Sequence, residues 1–186
     1  MVTFLGIAGQ VGTGDINEKA INESEMIFLE GYLWDEGEPK SAFDKAMSLA
    51  NKKAMSLSDQ FCVERHKDSF LDLVKNKLDI IFANEQEIKS LINANNFDDI
   101  IEFGKQLGKI MVITRGEKGS IAIKNNEIAE CKSKSNLNIV DLTGAGDLFA
   151  AGFLHGFINN FSTKESLEKG TEMSSKIIQK VGARLS

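Results

Sequence analysis

The sequence predicts an α/β fold in which a mostly parallel sheet is flanked by helices and followed by a late β-hairpin. Short apolar runs such as Asp79–Asn84 and Ile110–Thr114 are typical of strands buried on both faces. Segments with helical spacing alternate with these runs, which is the pattern of βαβ units. Asn125-Asn126 separates two strand-like segments late in the chain, and this arrangement indicates a hairpin.

The first half of the chain alternates between predicted strands and helices. The predicted strands are Met1–Ala8, Met26–Gly31, Ala54–Leu57 and Asp79–Asn84. An amphipathic helix is predicted around Met47–Ala50. Two further helices are predicted from apolar residues that share one helical face, namely Phe70, Leu71, Leu73, Val74 and Leu78 in one and Ile88, Leu91 and Ile92 in the other.

The second half continues the same alternation. A helix is predicted from the spacing of Phe97, Ile100, Ile101, Gly104 and Leu107. The predicted strands are Ile110–Thr114, Gly119–Lys124, Glu127–Lys132 and Asn138–Leu142, and the last two helices are Asp147–Ile158 and Lys164–Val181. Because no repeat, low-complexity linker or internal boundary is evident, we expect residues 1–186 to form part of one domain.

Composition excludes several classes of protein. The chain has 186 residues, 42% of them hydrophobic, and a net charge of -5, which argues against nucleic acid or an anionic membrane as the main partner. Neither a membrane-spanning run nor a secretory signal is recognisable. Cys62 and Cys131 form no C-x-x-C pair, and His66 and His155 lack a zinc-binding context. We therefore expect a cytoplasmic protein with reduced cysteines and no zinc site.

A small-residue turn, Thr143–Asp147, precedes a predicted helix. Unpaired N–H groups at a helix start attract anions, and Gly144 and Gly146 would let a phosphate come close. The turn lacks the lysine of a Walker A loop, and Phe149 occupies the position where a dinucleotide fingerprint needs a third small residue. Asp147 could take a proton from an attacking hydroxyl, or it could only stabilise the helix start.

Two other polar motifs follow predicted strands. Asn84 and Glu87 have the spacing of a helix capping box, and the same residues could organise Mg²⁺ and its water molecules. Arg115 and Lys118 belong to the segment RGEKGS. Their charges could face phosphates or could be solvated turn charges. In parallel sheets, ligands bind beyond the carboxyl ends of strands, so we expect these motifs to mark a site.

The segment DLTGAGDLFAAGF, Asp141–Phe153, closely resembles the C-terminal signature of the ribokinase/PfkB carbohydrate kinase family. Asn84-x-x-Glu87 looks like the family's N-x-x-E motif, and Thr114–Gly119 looks like its nucleotide-loop segment. EGYLWD, residues 30–35, and SDQFCVERH, residues 58–66, are more similar to adenosine-kinase-like members than to ribokinases proper. The resemblance extends from Thr3 to Arg184.

This resemblance implies a ribokinase-like fold and an ATP-dependent kinase that phosphorylates an alcohol of a nucleoside or sugar. An adenosine-kinase-like enzyme is favoured, and a ribose- or fructose-type sugar kinase is the alternative. By the same resemblance, Asp147 is the general base. Gly144, Ala145 and Gly146 form the anion hole for charge that develops on the transferred phosphoryl group.

The resemblance also assigns cofactors. Asn84 and Glu87 are expected to organise Mg²⁺ and the phosphates. Asp141, with the backbone near Gly182-Ala183, resembles the region where many members hold a monovalent cation such as K⁺. The residues expected to bind ATP are Asn84, Thr114, Arg115, Gly116, Gly119 and Thr143.

The family's N-terminal half has no counterpart in this sequence. That half carries the first strands of the sheet, a Gly-Gly substrate motif, an aspartate that binds sugar hydroxyls, and a small β lid. The resemblance therefore implies the C-terminal, nucleotide-binding part, either as a catalytic domain or as a non-catalytic nucleotide-binding remnant. A purely structural α/β domain is the least favoured alternative. A sheet without its early strands has an exposed edge, which predicts a homodimer or other self-association.

Overall fold

A computed structural model describes residues 6–34 and 37–185. Most of the predicted strand Met1–Ala8 lies outside the described residues. Its last three residues belong instead to a 3-10 turn, Gly6–Gln10, so the strand prediction is wrong there. Gly6 has a φ of 57°, which is incompatible with an extended strand.

The chain divides after Ile100 into two compact units. Each unit has its own strands and its own helices. The sixth helix, α6 (Phe97–Leu107), contains the point of division. The assignment of all 186 residues to a single domain stays a prediction.

The first unit contains three parallel strands that are linked by helices. The strands are β1 (Ile27–Glu30), β2 (Lys53–Ser56) and β3 (Ile80–Asn84). β2 pairs with β1 and with β3, with Ile27 opposite Lys53 and Ala54 opposite Ile80. The helices are α1 (Glu18–Glu23), α2 (Glu38–Leu49), α3 (Gln60–Arg65), α4 (Lys67–Asp72) and α5 (Glu85–Ile92), and a π-helical turn, Leu73–Lys77, follows α4.

Aromatic side chains fill part of the core of the first unit. The Trp34 ring lies edge-on to Phe43, with ring centroids 4.9 Å apart, and edge-on to Phe70 at 6.0 Å. Ile80 and Ile81 are consecutive in β3 and are both buried, although their side chains point to opposite faces of the sheet. This burial on both faces explains why the parallel strands appear in the sequence as continuous apolar runs.

The second unit contains an antiparallel sheet and two long helices. Its strands are β4 (Ile110–Thr114), β5 (Ser120–Lys124) and β6 (Glu127–Cys131). β5 pairs antiparallel with β4 and with β6. Its helices are α7 (Ala145–Ile158) and α8 (Thr163–Ile177). The parallel strands of the first unit and the late hairpin at Asn125-Asn126 confirm the predicted α/β class.

The predicted strand Asn138–Leu142 does not form. The N–H groups of Val140 and Asp141 both donate to the carbonyl of Ile178, at 2.8 and 3.2 Å, so this backbone pairs with the end of a helix and not with a strand. Ile139 and Leu142 are 57% and 65% exposed, although their apolar character suggested burial. The predicted helix Lys164–Val181 is also shorter than expected, because α8 ends at Ile177.

Glycines allow α7 and α8 to pack closely. A Cβ atom at Gly152 would lie 2.6 Å from the carbonyl oxygen of Lys169, and one at Gly156 would lie 2.8 Å from the Ser166 hydroxyl. Two glycines of α7 are therefore required by helix packing. α7 and α8 have 14 and 15 residues, and no helix in the described part of the chain has the length and apolar character needed to cross a membrane.

Candidate active site

The start of α7 requires a glycine at its N-cap. Gly144 has a φ of 78°, which lies in the left-handed region that favours glycine. A Cβ atom there would also lie 2.9 Å from the Cβ of Ala183. The first glycine of the signature is therefore explained by the turn and by its contact with the segment near Ala183.

Asp141 holds this turn in place through both of its carboxylate oxygens. Oδ1 accepts hydrogen bonds from the backbone N–H of Thr143 at 2.9 Å and from its hydroxyl at 2.7 Å. Oδ2 accepts from the N–H of Gly182 at 2.8 Å. The Gly182 N–H and the Thr143 donors hold the pKa of Asp141 below its ordinary value. Asp141 and Thr143 thus have a defined structural role, and the K⁺ site predicted near them stays a prediction.

The first turn of α7 presents backbone donors and one exposed carboxylate. The Ala145 N–H already donates to the carbonyl of Leu142 at 3.1 Å. The N–H groups of Gly146 and Asp147 lie in the first helical turn, where an α-helix has no acceptors for them. They are therefore better placed than the Ala145 N–H to bind an anion. The Asp147 side chain is exposed and makes no hydrogen bond or ion pair with any residue that the structure describes.

A pocket of about 650 Å³ lies in the second unit. It brings together five residues predicted from separate motifs: Thr114, Gly116, Gly119, Ala145 and Gly146. The other predicted residues of this unit, Arg115, Asp141, Thr143, Gly144 and Asp147, are not among those that line it. The sequence therefore predicted two walls of the pocket, the turn after β4 and the start of α7.

Two further walls of the pocket were not predicted from the sequence. One is the segment Ser133–Leu137, and the other is a face of α8 that includes Thr171, Ser174 and Ser175. Their residue types, serine, threonine, lysine and asparagine, are common on any protein surface. Nothing local in the sequence distinguishes them as pocket residues, because only the tertiary fold brings them to this place.

The pocket combines apolar side chains with hydroxyl groups. Ile139, Leu142 and Phe149 line it together with Ser120 and Ser175. Ile139 and Leu142 are exposed, and exposed apolar side chains inside a concave site favour a ligand with an apolar surface, such as a nucleobase. A Cβ atom at Gly146 would meet no atom within 4 Å, so the backbone at the start of α7 is open to a bound group.

The turn between β4 and β5 depends on a second special glycine. Gly119 has a φ of 87°, and a Cβ atom there would overlap the carbonyl oxygen of Cys131. The Ser133 hydroxyl donates a hydrogen bond of 2.6 Å to the backbone carbonyl of Glu117. The close approach of the Cys131 backbone to Gly119 and the hydrogen bond from Ser133 hold the start of the Ser133–Leu137 segment against the Gly116–Gly119 turn.

Asn84 and Glu87 form a complete capping box at the start of α5, in the first unit. The Glu87 N–H donates to Asn84 Oδ1 at 2.8 Å, and Glu87 Oε2 accepts from the Asn84 N–H at 2.9 Å. Glu87 Oε1 accepts from the Asn84 amide at 2.6 Å. Glu87 is only 5% exposed, and this burial raises the pKa of its carboxyl to about 7, with a smaller contribution from Asp59.

The neighbours of this capping box were not predicted from the sequence as a group. Tyr32 follows β1, and burial and the nearby Asp59 carboxylate raise the pKa of its phenol. Asp59 caps α3 by accepting from the Cys62 N–H at 2.6 Å. In residues 6–34 and 37–185, no group of three or more His, Cys, Asp or Glu side chains is placed to hold a metal ion.

The first unit also has a larger groove, of about 900 Å³. Its charged lining is balanced, with three lysines and three aspartates: Lys40, Lys53, Lys77, Asp44, Asp68 and Asp72. None of the predicted site residues lines it. Its size alone assigns it no function, and the smaller pocket beside α7 is the candidate site.

Residues 3–186 match the pfkB family carbohydrate kinase. The chain belongs to this family. The segments Asp141–Phe153 and Asn84–Glu87, from which the resemblance was inferred, lie inside the matched range, so the predicted family is confirmed.

Three similar proteins illustrate the range of relatives. A cytidine kinase from Thermococcus kodakarensis is 32% identical over 121 residues, which are 63% of this chain and 43% of that protein. An ATP-dependent 6-phosphofructokinase from Thermoanaerobacterium thermosaccharolyticum is 32% identical over 108 residues, 58% of this chain and 33% of that protein.

The crystal structure of adenosine kinase from Sinorhizobium meliloti superposes with a TM-score of 0.91 and 34% identity, covering 95% of this chain and 55% of that one. This agreement confirms the ribokinase-like fold. The chain spans about half the length of the relatives that it matches.

Proposed function

We propose that this chain is the nucleotide-binding and catalytic part of an ATP-dependent phosphotransferase that moves the γ-phosphoryl group to an alcohol. The observation that carries the proposal is the start of α7. There an exposed carboxylate, Asp147, follows a glycine that lines a 650 Å³ pocket. The family supports the same activity, since its members are carbohydrate kinases.

In this proposal Asp147 accepts the proton of the acceptor hydroxyl as the hydroxyl oxygen attacks the phosphorus atom. The N–H groups of Gly146 and Asp147 and the positive end of the α7 dipole stabilise the charge on the transferred group. The Gly116–Gly119 turn, the Ser133–Leu137 segment and the apolar residues of the pocket hold the nucleotide. All these groups belong to the second unit.

In this proposal, Asn84 and Glu87 of the first unit organise Mg²⁺. When bound with ATP, Mg²⁺ neutralises charge on the phosphates. The Glu87 carboxylate is buried, and both of its oxygens accept from Asn84, so it fits contact with the metal's water molecules better than direct coordination. Asn84 would fix the direction of this carboxylate.

The acceptor that we favour is a nucleoside, with a sugar as the alternative. The 34% identity to an adenosine kinase and the segments at residues 30–35 and 58–66 support a nucleoside. The similarity to a 6-phosphofructokinase supports a sugar. The relatives named as nucleoside kinases and the one named as a sugar-phosphate kinase match this chain at similar identity. Sequence similarity alone therefore does not choose between a nucleoside and a sugar acceptor.

Incubation of the chain with ATP labelled in the γ-phosphate tests the proposal. The acceptors are adenosine, cytidine, ribose and fructose 6-phosphate, each with and without Mg²⁺, and ATP binding is measured in parallel by calorimetry. We expect Mg²⁺-dependent transfer to a nucleoside. Binding of ATP without transfer to any acceptor would support a non-catalytic nucleotide-binding remnant, and absence of ATP binding would contradict both proposals.

A further inference from the structure

The pocket beside α7 contains a positive charge that the sequence motifs did not assign. Among the described residues that line the pocket, Lys134 is the only lysine or arginine. Arg115 and Lys118, the two basic residues of the RGEKGS segment, do not line it. Glu117 is the only acidic residue among the described residues of the lining. The charge balance of this pocket therefore depends on Lys134.

The backbone that carries Lys134 is fixed on its N-terminal side. The close approach at Gly119 sets the Cys131–Ser133 backbone directly against the turn. The Ser133 hydroxyl then ties the segment to the Glu117 carbonyl at 2.6 Å. Lys134 is the next residue, so its Cα is held at the pocket wall while its side chain remains exposed.

The ammonium group of Lys134 makes no ion pair with any residue in the described ranges 6–34 and 37–185. An unpaired cation that lines a concave site can bind an anionic ligand without first breaking an internal ion pair. Ammonium groups bind phosphate oxygens through short, charge-assisted hydrogen bonds.

We propose that Lys134 binds the phosphate groups of the nucleotide in this pocket. The inference rests on the proposed function, because it requires a nucleotide in the pocket. It gives to Lys134 the phosphate contact that the sequence suggested for Arg115 and Lys118. In this role Lys134 offsets the carboxylate of Glu117, which would otherwise repel the phosphates.

The test compares Lys134→Gln with Lys132→Gln in the full 186-residue chain. Both lysines are exposed and lie two residues apart, but Lys132 does not line the pocket. Dissociation constants are measured by calorimetry for ATP with Mg²⁺. Adenosine is measured as a competitor of ATP without Mg²⁺, where no phosphoryl transfer is expected, so that only binding in the same pocket is counted.

We expect Lys134→Gln to weaken ATP binding about fivefold to tenfold. Adenosine affinity should change less than about twofold, and Lys132→Gln should bind both ligands as the unaltered chain does. The ATP affinity of the unaltered chain should also fall more steeply with salt than that of Lys134→Gln.

Two results would overturn the inference about Lys134 while leaving the proposed function intact. One is equal ATP affinity in the two variants, and the other is an equal loss of ATP and adenosine binding in Lys134→Gln. If the unaltered chain binds neither ATP nor adenosine, the proposed function itself fails, and this outcome is seen before any variant is compared.

Discussion

Gly144 and Gly146 lie two residues apart at the start of α7, and their surroundings differ. Gly144 has a positive φ and contacts Ala183, whereas the space beside Gly146 is open and the residue lines the pocket. A structural requirement therefore accounts for the first glycine, whereas no steric contact with the described residues accounts for the second. The two aspartates of the same segment differ in a similar way. Asp141 accepts hydrogen bonds from Thr143 and Gly182, whereas the Asp147 side chain is exposed.

Gly146→Ala should keep or raise the thermal stability of the chain and weaken ATP binding. Alanine is favoured over glycine in a helix by up to about 1 kcal/mol, but the new methyl group would occupy space at the mouth of the anion site. We expect about tenfold weaker ATP binding by calorimetry. Unchanged ATP affinity in a folded Gly146→Ala variant would show that the nucleotide does not approach this residue.

Gly144→Ala is the matched variant and should behave differently. The positive φ and the contact with Ala183 should lower the free energy of unfolding by roughly 1–3 kcal/mol. Urea denaturation measures this change directly. A variant as stable as the unaltered chain would mean that the turn does not need its left-handed residue.

Glu87 should make the stability of the metal-free chain fall as pH rises. Its pKa is about 7 in the folded chain and near its ordinary value when unfolded. Since the folded state binds this proton more tightly, Glu87 lowers the free energy of unfolding as pH rises from about 5 to 7. Glu87→Gln can keep the capping box, so we expect it to be roughly 1–3 kcal/mol more stable than the unaltered chain at pH 8.

The control for this pH dependence is Glu165→Gln, at the equivalent capping-box position of α8. Hydrogen bonds from Ser162 lower the pKa of Glu165. The ionised Glu165 therefore favours the folded chain as pH rises, and Glu165→Gln should gain no stability at pH 8. The free energies of unfolding of the unaltered chain, Glu87→Gln and Glu165→Gln are measured in urea at pH 5 and pH 8. An equal pH dependence in Glu87→Gln and the unaltered chain would contradict a proton held by Glu87.

At the level of elements, α7 has two roles. Its first turn carries the candidate catalytic groups, and its later glycines allow α8 to approach. α8 in turn supplies one wall of the pocket through Thr171, Ser174 and Ser175. The packing of the two helices therefore sets the width of the pocket.

Gly152→Ala should destabilise the chain because a Cβ atom there would lie 2.6 Å from the Lys169 carbonyl oxygen. The two helix backbones would have to separate, which we expect to lower the free energy of unfolding by about 1–3 kcal/mol. Gly146→Ala makes the same glycine-to-alanine change in the same helix, but we expect it to keep or raise the stability. It therefore controls for the effect of helix propensity. If both alanine variants raise the stability measured in urea, the close packing of α7 and α8 is not required.

Elements defined by local patterns could be predicted from the sequence, and those defined by distant partners could not. The apolar run Ile110–Thr114 and the capping box at Asn84 carry their own signals. The segment Asn138–Leu142 looked equally strand-like, but its backbone donates to Ile178. The Ser133–Leu137 wall was missed for the same reason, because residues distant in the sequence, Glu117 and Gly119, hold its start at the pocket.

At the scale of the whole molecule, the proposed groups are distributed over both units of the chain. Asn84 and Glu87 belong to the first unit, and the pocket and Asp147 belong to the second. The chain spans about half of the length of its relatives, so its choice of acceptor and its self-association are properties to be measured on the protein itself. The proposed proton transfer, in contrast, depends on one side chain, that of Asp147.

The most direct test of the proposed function is phosphoryl transfer by the chain with Asp147→Asn. The substitution keeps the size of the side chain and removes the carboxylate that is proposed to accept the proton. We expect the turnover rate to fall by about 10²–10⁴-fold, with ATP affinity within about twofold of that of the unaltered chain. Equal turnover in Asp147→Asn and the unaltered chain would contradict the assignment of Asp147 as the catalytic base.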